Sequence, residues 1–430
     1  MNIHIQPVAG LRGKMKAPGD KSISHRAVMF GSLSQGLTEI SGFLSGEDCL
    51  ATIKCFQQMG VEIAAAGKTG LKIHGVGLEG LLEPKDVLDV GNSGTTLRLI
   101  TGILAGQKFH SVLTGDESLR NRPMDRIIKP LGKMGAEIRA REGGYPPISI
   151  WGKGNLTAID YRTPVPSAQI KSSILLAGLF SRGLTSVSES FKSRDHTERM
   201  ASAFGAEIKE GRDGSAVYIK GFPRLSGRKV DIPGDISSAA FFMVAGSIVP
   251  NSEIVITDVG VNFTRSGILE VLKSMGAKIS LFNHREICNE PVADVLIRSS
   301  TLRSAEIGGG IIPRLIDEIP VIAAAACFAE GTTVIRDAGE LRVKETDRIE
   351  AAAQELGRMG AKIKPLKDGL VIQGTGYLKG CLCKSYGDHR IAMALAVAGL
   401  AADGETIIED CQCVGISYPG FFEQLKKLSY

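Results

Sequence analysis

Aromatic residues are scarce: they make up 5% of the 430 residues, with a single Trp. Surfaces that stack nucleobases are built from such rings, so a single-stranded nucleic-acid platform is disfavoured. Excess charge is missing too. The 51 Lys and Arg against 46 Asp and Glu leave a formal net charge of +5, too little to draw a polyanion over the whole surface, so any anion site must be local. Long hydrophobic runs are also absent. The longest, 321–329 and 391–402, fall short of the roughly 20 residues that cross a bilayer. The opening Met1-Asn2-Ile3-His4-Ile5-Gln6 has no basic region followed by an apolar stretch, so no secretory leader is expected and the reading is cytoplasmic. The eight cysteines are scattered and are expected as reduced thiols, because a disulfide framework does not suit a large cytosolic chain. Cys381/Cys383 and Cys411/Cys413 are C-x-C pairs, expected on one face of a strand. No His or further Cys stands at zinc-ligand spacing beside them, and no metal is expected.

What is abundant is glycine, 52 residues, within a chain that is 43% hydrophobic. That balance suits closely packed small-residue helices and many tight turns, with enough apolar content for two domains. Self-similarity then sets the architecture. Five segments end an amphipathic helix with nearly the same phrase: Met59-Gly60-Val61-Glu62-Ile63, Met134-Gly135-Ala136-Glu137-Ile138, Phe204-Gly205-Ala206-Glu207-Ile208, Met275-Gly276-Ala277-Lys278-Ile279 and Met359-Gly360-Ala361-Lys362-Ile363. They recur about every 70 to 85 residues. Each Gly is expected as a left-handed C-cap, with a strand following.

Upstream of each phrase, and once more near the end, lies a helix that is apolar nearly all round: 22–33, 95–105, 168–180, 237–248, 319–329 and 391–401. A helix without a polar face must be buried. Each is expected to be followed by a strand, a loop and the amphipathic helix. The sixth unit stops short at the helix 421–428, and the strand-like opening Ile3 to Val8 is expected to complete it. The chain would then cross between domains near 18–20 and 233–235, at two identical Pro-Gly-Asp tripeptides. The resulting expectation is an α/β protein of two similar domains, 20–232 with repeats one to three and 1–19 plus 233–430 with repeats four to six. Apolar helices lie inside and sheets outside.

Polar chemistry collects at the starts of the buried helices. In Ala17-Pro18-Gly19-Asp20-Lys21-Ser22-Ile23-Ser24-His25-Arg26, Pro18-Gly19 reads as a turn and Asp20 as a cap. Lys21 and Ser22 fall in the first turn, with Arg26 one turn behind. Free backbone N–H groups, the helix dipole, a hydroxyl and two cations make an anion socket, although an ordinary solvated helix start reads the same way. Comparable groups are Arg98; Arg122 in Asn121-Arg122-Pro123-Met124; Ser167, Gln169 and Lys171; Arg194; Asp317 and Glu318; Lys344 to Arg348; and Asp388-His389-Arg390. These ends are expected to converge on a cleft with the domains facing each other across it. Gly94 reads either as a plain turn residue or as a place where an anion touches the backbone. Asp317 reads either as a helix cap ahead of Pro320 or as a carboxylate that pairs or takes a proton.

Taken in order, Lys21-Ser22 to Arg26, Gly91-Asn92-Ser93-Gly94-Thr95, Arg122-Pro123-Met124, Ser167-Ala168-Gln169, Asp317-Glu318, Lys344-Glu345 to Arg348 and Asp388-His389-Arg390 resemble the 5-enolpyruvylshikimate-3-phosphate synthases, within the enolpyruvyl transferases. The resemblance covers essentially the whole chain and implies two domains, each of three βαβαββ units, an inside-out α/β barrel. It implies carboxyvinyl transfer from phosphoenolpyruvate to the 5-hydroxyl of shikimate 3-phosphate, by a monomer without metal or organic cofactor. Shikimate 3-phosphate would be held by Lys21, Ser22, Arg26, Ser167, Ala168, Gln169, Arg194, Asp317 and Lys344, and phosphoenolpyruvate by Lys21, Gly94, Arg122, Gln169, Arg348 and Arg390. The two substrates carry together about −5 to −6, with each phosphate near −1.5 to −2, and the cations in these sets answer that charge. Asp317, Glu345 and Lys21 are the implied catalytic groups. Asp317 would accept the hydroxyl proton, while the division of work at C3 between Glu345 and Lys21 stays open.

The Gly-Asn-Ser-Gly-Thr-Thr phrase and the ending Ser417-Tyr418-Pro419-Gly420-Phe421-Phe422 are closer to the second bacterial subclass. The lysine that the first subclass carries in that last loop is missing, and none appears until Lys426. Gly94, where some glyphosate-tolerant relatives carry alanine, points to sensitivity to that inhibitor. The sister enzyme that acts on UDP-N-acetylglucosamine uses a loop cysteine ahead of its Arg-Pro, and residues 115–122 contain none. A non-catalytic anion binder would leave Asp317 and Glu345 without a task.

Overall fold

A computed structural model describes residues 1–211, 214 and 216–430. The chain divides into two compact units. One comprises Gly19–Ile232 with Ile287–Asn289; the other comprises Met1–Pro18, Pro233–Glu286 and Glu290–Tyr430.

Six helices are buried along nearly their whole length: Lys21–Leu33, Gly94–Ala105 and Ala168–Gly178 in the first unit, and Ile236–Ile248, Ile319–Cys327 and His389–Leu400 in the second. Their sequences give no polar stripe to turn outward, so each is surrounded by its own unit's core. In the second unit the three pack against one another. In the first, helix Gly94–Ala105 lies so close to Ala168–Gly178 that a Cβ on Gly102 would stand 2.2 Å from the carbonyl oxygen of Ser173. Only glycine permits that approach. Two of the expected helices are shorter than the apolar run. The third ends at Gly178 because Ser181–Arg182 already pairs as a strand with Leu156–Thr157, and the fifth ends at Cys327.

The amphipathic helices are Glu47–Gln58, Asp125–Lys133, His196–Phe204, Gly267–Ser274, Arg348–Arg358 and Phe421–Leu428. The five repeated phrases follow the first five, and their glycines have φ of +87°, +92°, +102°, +88° and +91°. This is left-handed backbone, where a side chain would be strained.

Among the described residues five four-stranded sheets share one plan. A short edge strand runs parallel to the strand after the buried helix, which pairs antiparallel with the inner strand of a hairpin, whose other strand forms the far edge. Gln35–Ser41, for example, pairs parallel with Lys229–Asp231 and antiparallel with Leu71–Val76. The sixth sheet has three strands. Leu382–Lys384 is its edge, and Ile3–Ile5 pairs antiparallel with Thr406–Glu409 where the other sheets use their hairpin. Leu11 bridges Ser429, and the Tyr430 N–H donates to the Gly10 carbonyl. Among the described residues no helix is long and apolar enough to cross a membrane.

The two C-x-C pairs differ. The Cys381 and Cys383 sulfurs lie 3.6 Å apart at the edge strand, as expected for one face. Cys411 and Cys413 instead lie in a 3₁₀ helix, Cys411–Ile416, because Asp410, with φ of +58°, ends the preceding strand. All eight thiols are free.

Candidate active site

In the first unit, Asp20 caps helix Lys21–Leu33 by accepting from the Ile23 N–H at 2.9 Å. Lys21 is thereby fixed at the helix start, with its Nζ 2.9 Å from Oδ2 of Asp48. The Arg26 guanidinium lies one turn on and is buried. It donates to the Ser22 carbonyl at 2.9 Å, to Ser172 Oγ at 2.8 Å and to Thr197 Oγ1 at 2.7 Å. Between Lys21 and Arg26 sits His25, wholly buried and bonded to Thr52 at 2.7 Å. Burial, then the charges of Lys21 and Arg26, hold its pKa well below the ordinary value of 6.5, so it is neutral at physiological pH. Thr52 continues to Thr96 at 2.7 Å, and Thr96 to Ser93 at 2.6 Å. Ser93 caps the next buried helix.

That helix begins at Gly94. A Cβ there would stand 2.7 Å from Arg98 Nη1 and 3.5 Å from Arg122 Nη1, so the missing side chain leaves two guanidinium groups beside a helix N-terminus. Arg98 also donates to Gln169 Oε1 at 2.9 Å, and Gln169 donates to Thr95 at 3.1 Å. Arg122 is held by Asn92 at 2.9 Å and Ser118 at 3.1 Å. Gly94, Arg122 and Gln169, far apart in sequence, thus form one group. Ser167, which makes no side-chain cap, donates its N–H to Glu189 at 2.9 Å; Ala168 begins the helix, and Arg194 is half-buried in the loop after Ser193. Lys171, a candidate from sequence, is buried between Glu189 and Glu198.

In the second unit the centre is Arg348, whose side chain is 1% exposed. It donates to Asp388 Oδ2 at 2.7 Å and Oδ1 at 3.3 Å, to Glu345 Oε2 at 2.6 Å and to Asp317 Oδ1 at 3.3 Å. Burial works against the guanidinium, but Asp388, Glu345 and Asp317 together raise its pKa above the ordinary value. Asp317 is not a helix cap. It lies in the 3₁₀ turn Ile316–Glu318, its carboxylate 3.8 Å from Lys344 Nζ and its carbonyl accepting from Arg390 at 3.0 Å. Arg390 Nη1 lies 3.9 Å from Glu318. Glu318 accepts from Ser237, which with Asp235 is held by Arg265 at 2.7 and 2.9 Å. Asp317, Lys344, Glu345, Arg348 and Arg390 therefore form one cluster, as one ammonium and two guanidinium groups among carboxylates.

Sequence reasoning passed over the partners Asp48, Glu189, Arg265 and the carboxylate of Asp388. Asp48 looks like an ordinary acidic residue in a helix first turn, and Glu189 follows a strand without a motif. Only the hydroxyl-rich faces at Ser93/Thr96 and Ser172/Thr197 hinted at a buried polar layer.

The family model described as EPSP synthase (3-phosphoshikimate 1-carboxyvinyltransferase) matches residues 5–425. A 3-phosphoshikimate 1-carboxyvinyltransferase of Desulforamulus reducens is 57% identical over 429 residues, covering 100% of this chain and 99% of the relative. One of Bacillus cereus is 56% identical over 427 residues, covering 99% of each. The solved EPSP synthase from Acinetobacter baumannii superposes with a TM-score of 0.89 at 45% identity, over 100% of this chain and 98% of that one. The enolpyruvyl transferase NikO from Streptomyces tendae, at 17% identity and a TM-score of 0.79 over 99% of this chain and 96% of that one, shares the fold. With a family match across nearly its whole length and relatives above half identity, the chain belongs to the EPSP synthase family.

Proposed function

We infer that this protein transfers the enolpyruvyl group of phosphoenolpyruvate to the 5-hydroxyl of shikimate 3-phosphate and releases phosphate, in the shikimate pathway that leads to chorismate and the aromatic amino acids. The hydroxyl oxygen adds to C2 as C3 takes a proton. The C2–O bond to phosphate then breaks, phosphate leaves with its electron pair, and C3 gives up a proton to form the enol ether. Atoms balance without a redox partner.

The observation that best supports a proton-transfer site is Arg348 bonding Glu345 and Asp317 at once, at 2.6 and 3.3 Å. One guanidinium orients two carboxylates, and the chemistry needs two proton movements. In this reading Asp317 accepts the hydroxyl proton, and Glu345 with Lys21 serves C3. Shikimate 3-phosphate is held by Lys21, Ser22, Arg26, Ser167, Ala168, Gln169, Arg194, Asp317 and Lys344. Phosphoenolpyruvate is held by Lys21, Gly94, Arg122, Gln169, Arg348 and Arg390, whose cations stabilise the departing phosphate. The protein works as a cytoplasmic monomer, checked by light scattering on the purified enzyme and by fractionation of cells.

The test is release of inorganic phosphate. It should require phosphoenolpyruvate and shikimate 3-phosphate together, with the enol ether appearing in the proton NMR spectrum. Release with UDP-N-acetylglucosamine in place of shikimate 3-phosphate would overturn the acceptor assignment.

A further inference from the structure

Lys171 is an ammonium that the mechanism does not use, and it is almost completely inaccessible, with a side chain 2% exposed. Its Nζ lies 3.0 Å from Glu189 Oε2 and 2.8 Å from Glu198 Oε1, and it donates to the Ser193 carbonyl at 3.3 Å. Burial works against the ammonium, yet Glu198 and Glu189 outweigh it and raise its pKa, so the group stays charged. Taking such charges out of water costs several kcal/mol per ion, and well-packed apolar side chains of similar volume are often as stable. The brace therefore asks for a reason beyond holding the core.

The reason lies in what Glu189 touches. Its Oε1 accepts the Ser167 N–H at 2.9 Å, and its Oε2 accepts the Ser193 N–H at 3.2 Å. The Ser193 hydroxyl lies 2.8 and 2.7 Å from its two oxygens. One carboxylate thus ties the residue that opens helix Ala168–Gly178 to the residue that precedes Arg194. The next residues along the same two helices repeat the pattern. Ser172 and Thr197 bond at 2.7 Å, and both accept from Arg26. Arg26, Ser167 and Arg194, three groups assigned above to one phosphorylated acceptor, are anchored to a single buried polar layer between two helices.

We propose that Lys171, Glu189 and Glu198 form a positioning triad that sets the spacing of Ser167 and Arg194, and so fixes affinity for the phosphorylated acceptor without touching it. The inference rests on the acceptor assignment made under the proposed function. Lys171 holds Glu189 in place, and Glu189 holds the two loops. Removing the ammonium leaves two buried carboxylates facing each other, and the loops lose their common anchor. The donor groups Gly94 and Arg122 are held by Arg98, Asn92 and Ser118, and of the donor groups in this unit only Gln169 shares the helix that Ser167 opens, so donor affinity is expected to change less than acceptor affinity.

The experiment measures binding of shikimate 3-phosphate by calorimetry and the KM of each substrate, for the wild type, Lys171→Met, Glu189→Gln and a control, Ile150→Ala. Ile150 is fully buried in the strand Tyr145–Trp151 of the same unit, away from the triad. Lys171→Met is expected to weaken acceptor binding at least tenfold while the KM for phosphoenolpyruvate stays within twofold. Glu189→Gln, isosteric and the milder change if Lys171→Met fails to fold, is expected to show the same split at smaller size. The control is expected to lose stability with acceptor binding unchanged. Equal weakening of both substrates, acceptor binding unchanged in a folded triad variant, or a control that behaves like the variants would each overturn the proposal. If the wild type itself fails to bind shikimate 3-phosphate, the acceptor assignment falls and takes the proposal with it; a wild type that binds while the variants bind equally well removes only the triad's role.

Discussion

The two units treat their guanidinium groups differently. In the unit containing Gly94, Arg26 is met by the hydroxyls of Ser172 and Thr197 and by a carbonyl, and Arg122 by an amide and a hydroxyl. In the other, Arg348 is met by three carboxylates. Neutral oxygens leave a cation's charge available to an anion. Carboxylates offset part of that charge, and in return the cation orients groups that can take protons. The repeat is the same in both units, yet these guanidinium groups meet different partners.

The largest test of that difference is Arg348→Met. It strands Asp388, Glu345 and Asp317 together, and breaking a buried ion pair in this way costs about 3–5 kcal/mol. Arg122→Met, which loses hydrogen bonds to Asn92 and Ser118, is expected to cost less, about 1 kcal/mol per bond. Urea unfolding of both variants checks this, and equal losses would break the comparison. Next is Asp317→Ala, expected to lower kcat by about 10² or more with the KM for phosphoenolpyruvate little changed. Steady-state kinetics beside Arg122→Met, where the KM for phosphoenolpyruvate should rise, sharpens the contrast between proton transfer and grip.

His25 gives a third, smaller effect. Its pKa in the folded protein is below the ordinary 6.5, so as pH falls past that value the unfolded chain binds the proton first. Stability is present above pH 6.5 and is lost below it, by up to about 1.4 kcal/mol per pH unit. His25→Leu should flatten this slope, as measured by urea unfolding between about pH 7 and pH 5. The smallest change is Asp20→Ala, which removes one cap at about 1 kcal/mol. Its counterpart after the second Pro-Gly, Asp235→Ala, should cost more, because Asp235 also holds the buried Arg265 at 2.9 Å. Thermal unfolding of the two variants compares them directly.

Much of the fold could be read from residues 59–63 and their four echoes, because a glycine after an apolar helix end has few conformational alternatives and its repetition fixes the unit. The buried helices were legible for a similar reason: a segment such as Ile319–Cys327 has nowhere to go but inward. Candidate groups at helix starts were legible where helix geometry alone brings them together, as with Ser22 and Arg26. Their partners were not. Asp48, Glu189 and Asp388 meet their cations only after strands and helices about 18 to 40 residues apart have packed, as with Lys21–Asp48, Lys171–Glu189 and Arg348–Asp388, and nothing local marks a lone acid as a future counter-ion. The strand expected at Cys411 failed because a single left-handed residue, Asp410, turned the chain.

The pairing of Ile3–Ile5 with Thr406–Glu409 also sets a timetable for synthesis. A ribosome makes the first of these strands some 400 residues before its partner, while everything that completes Gly19–Ile232, apart from a short turn at 287–289, emerges in one continuous stretch. The middle of the nascent chain is therefore free to fold early. The strand Ile3–Ile5 can complete its pairing only once Thr406–Glu409 has been translated.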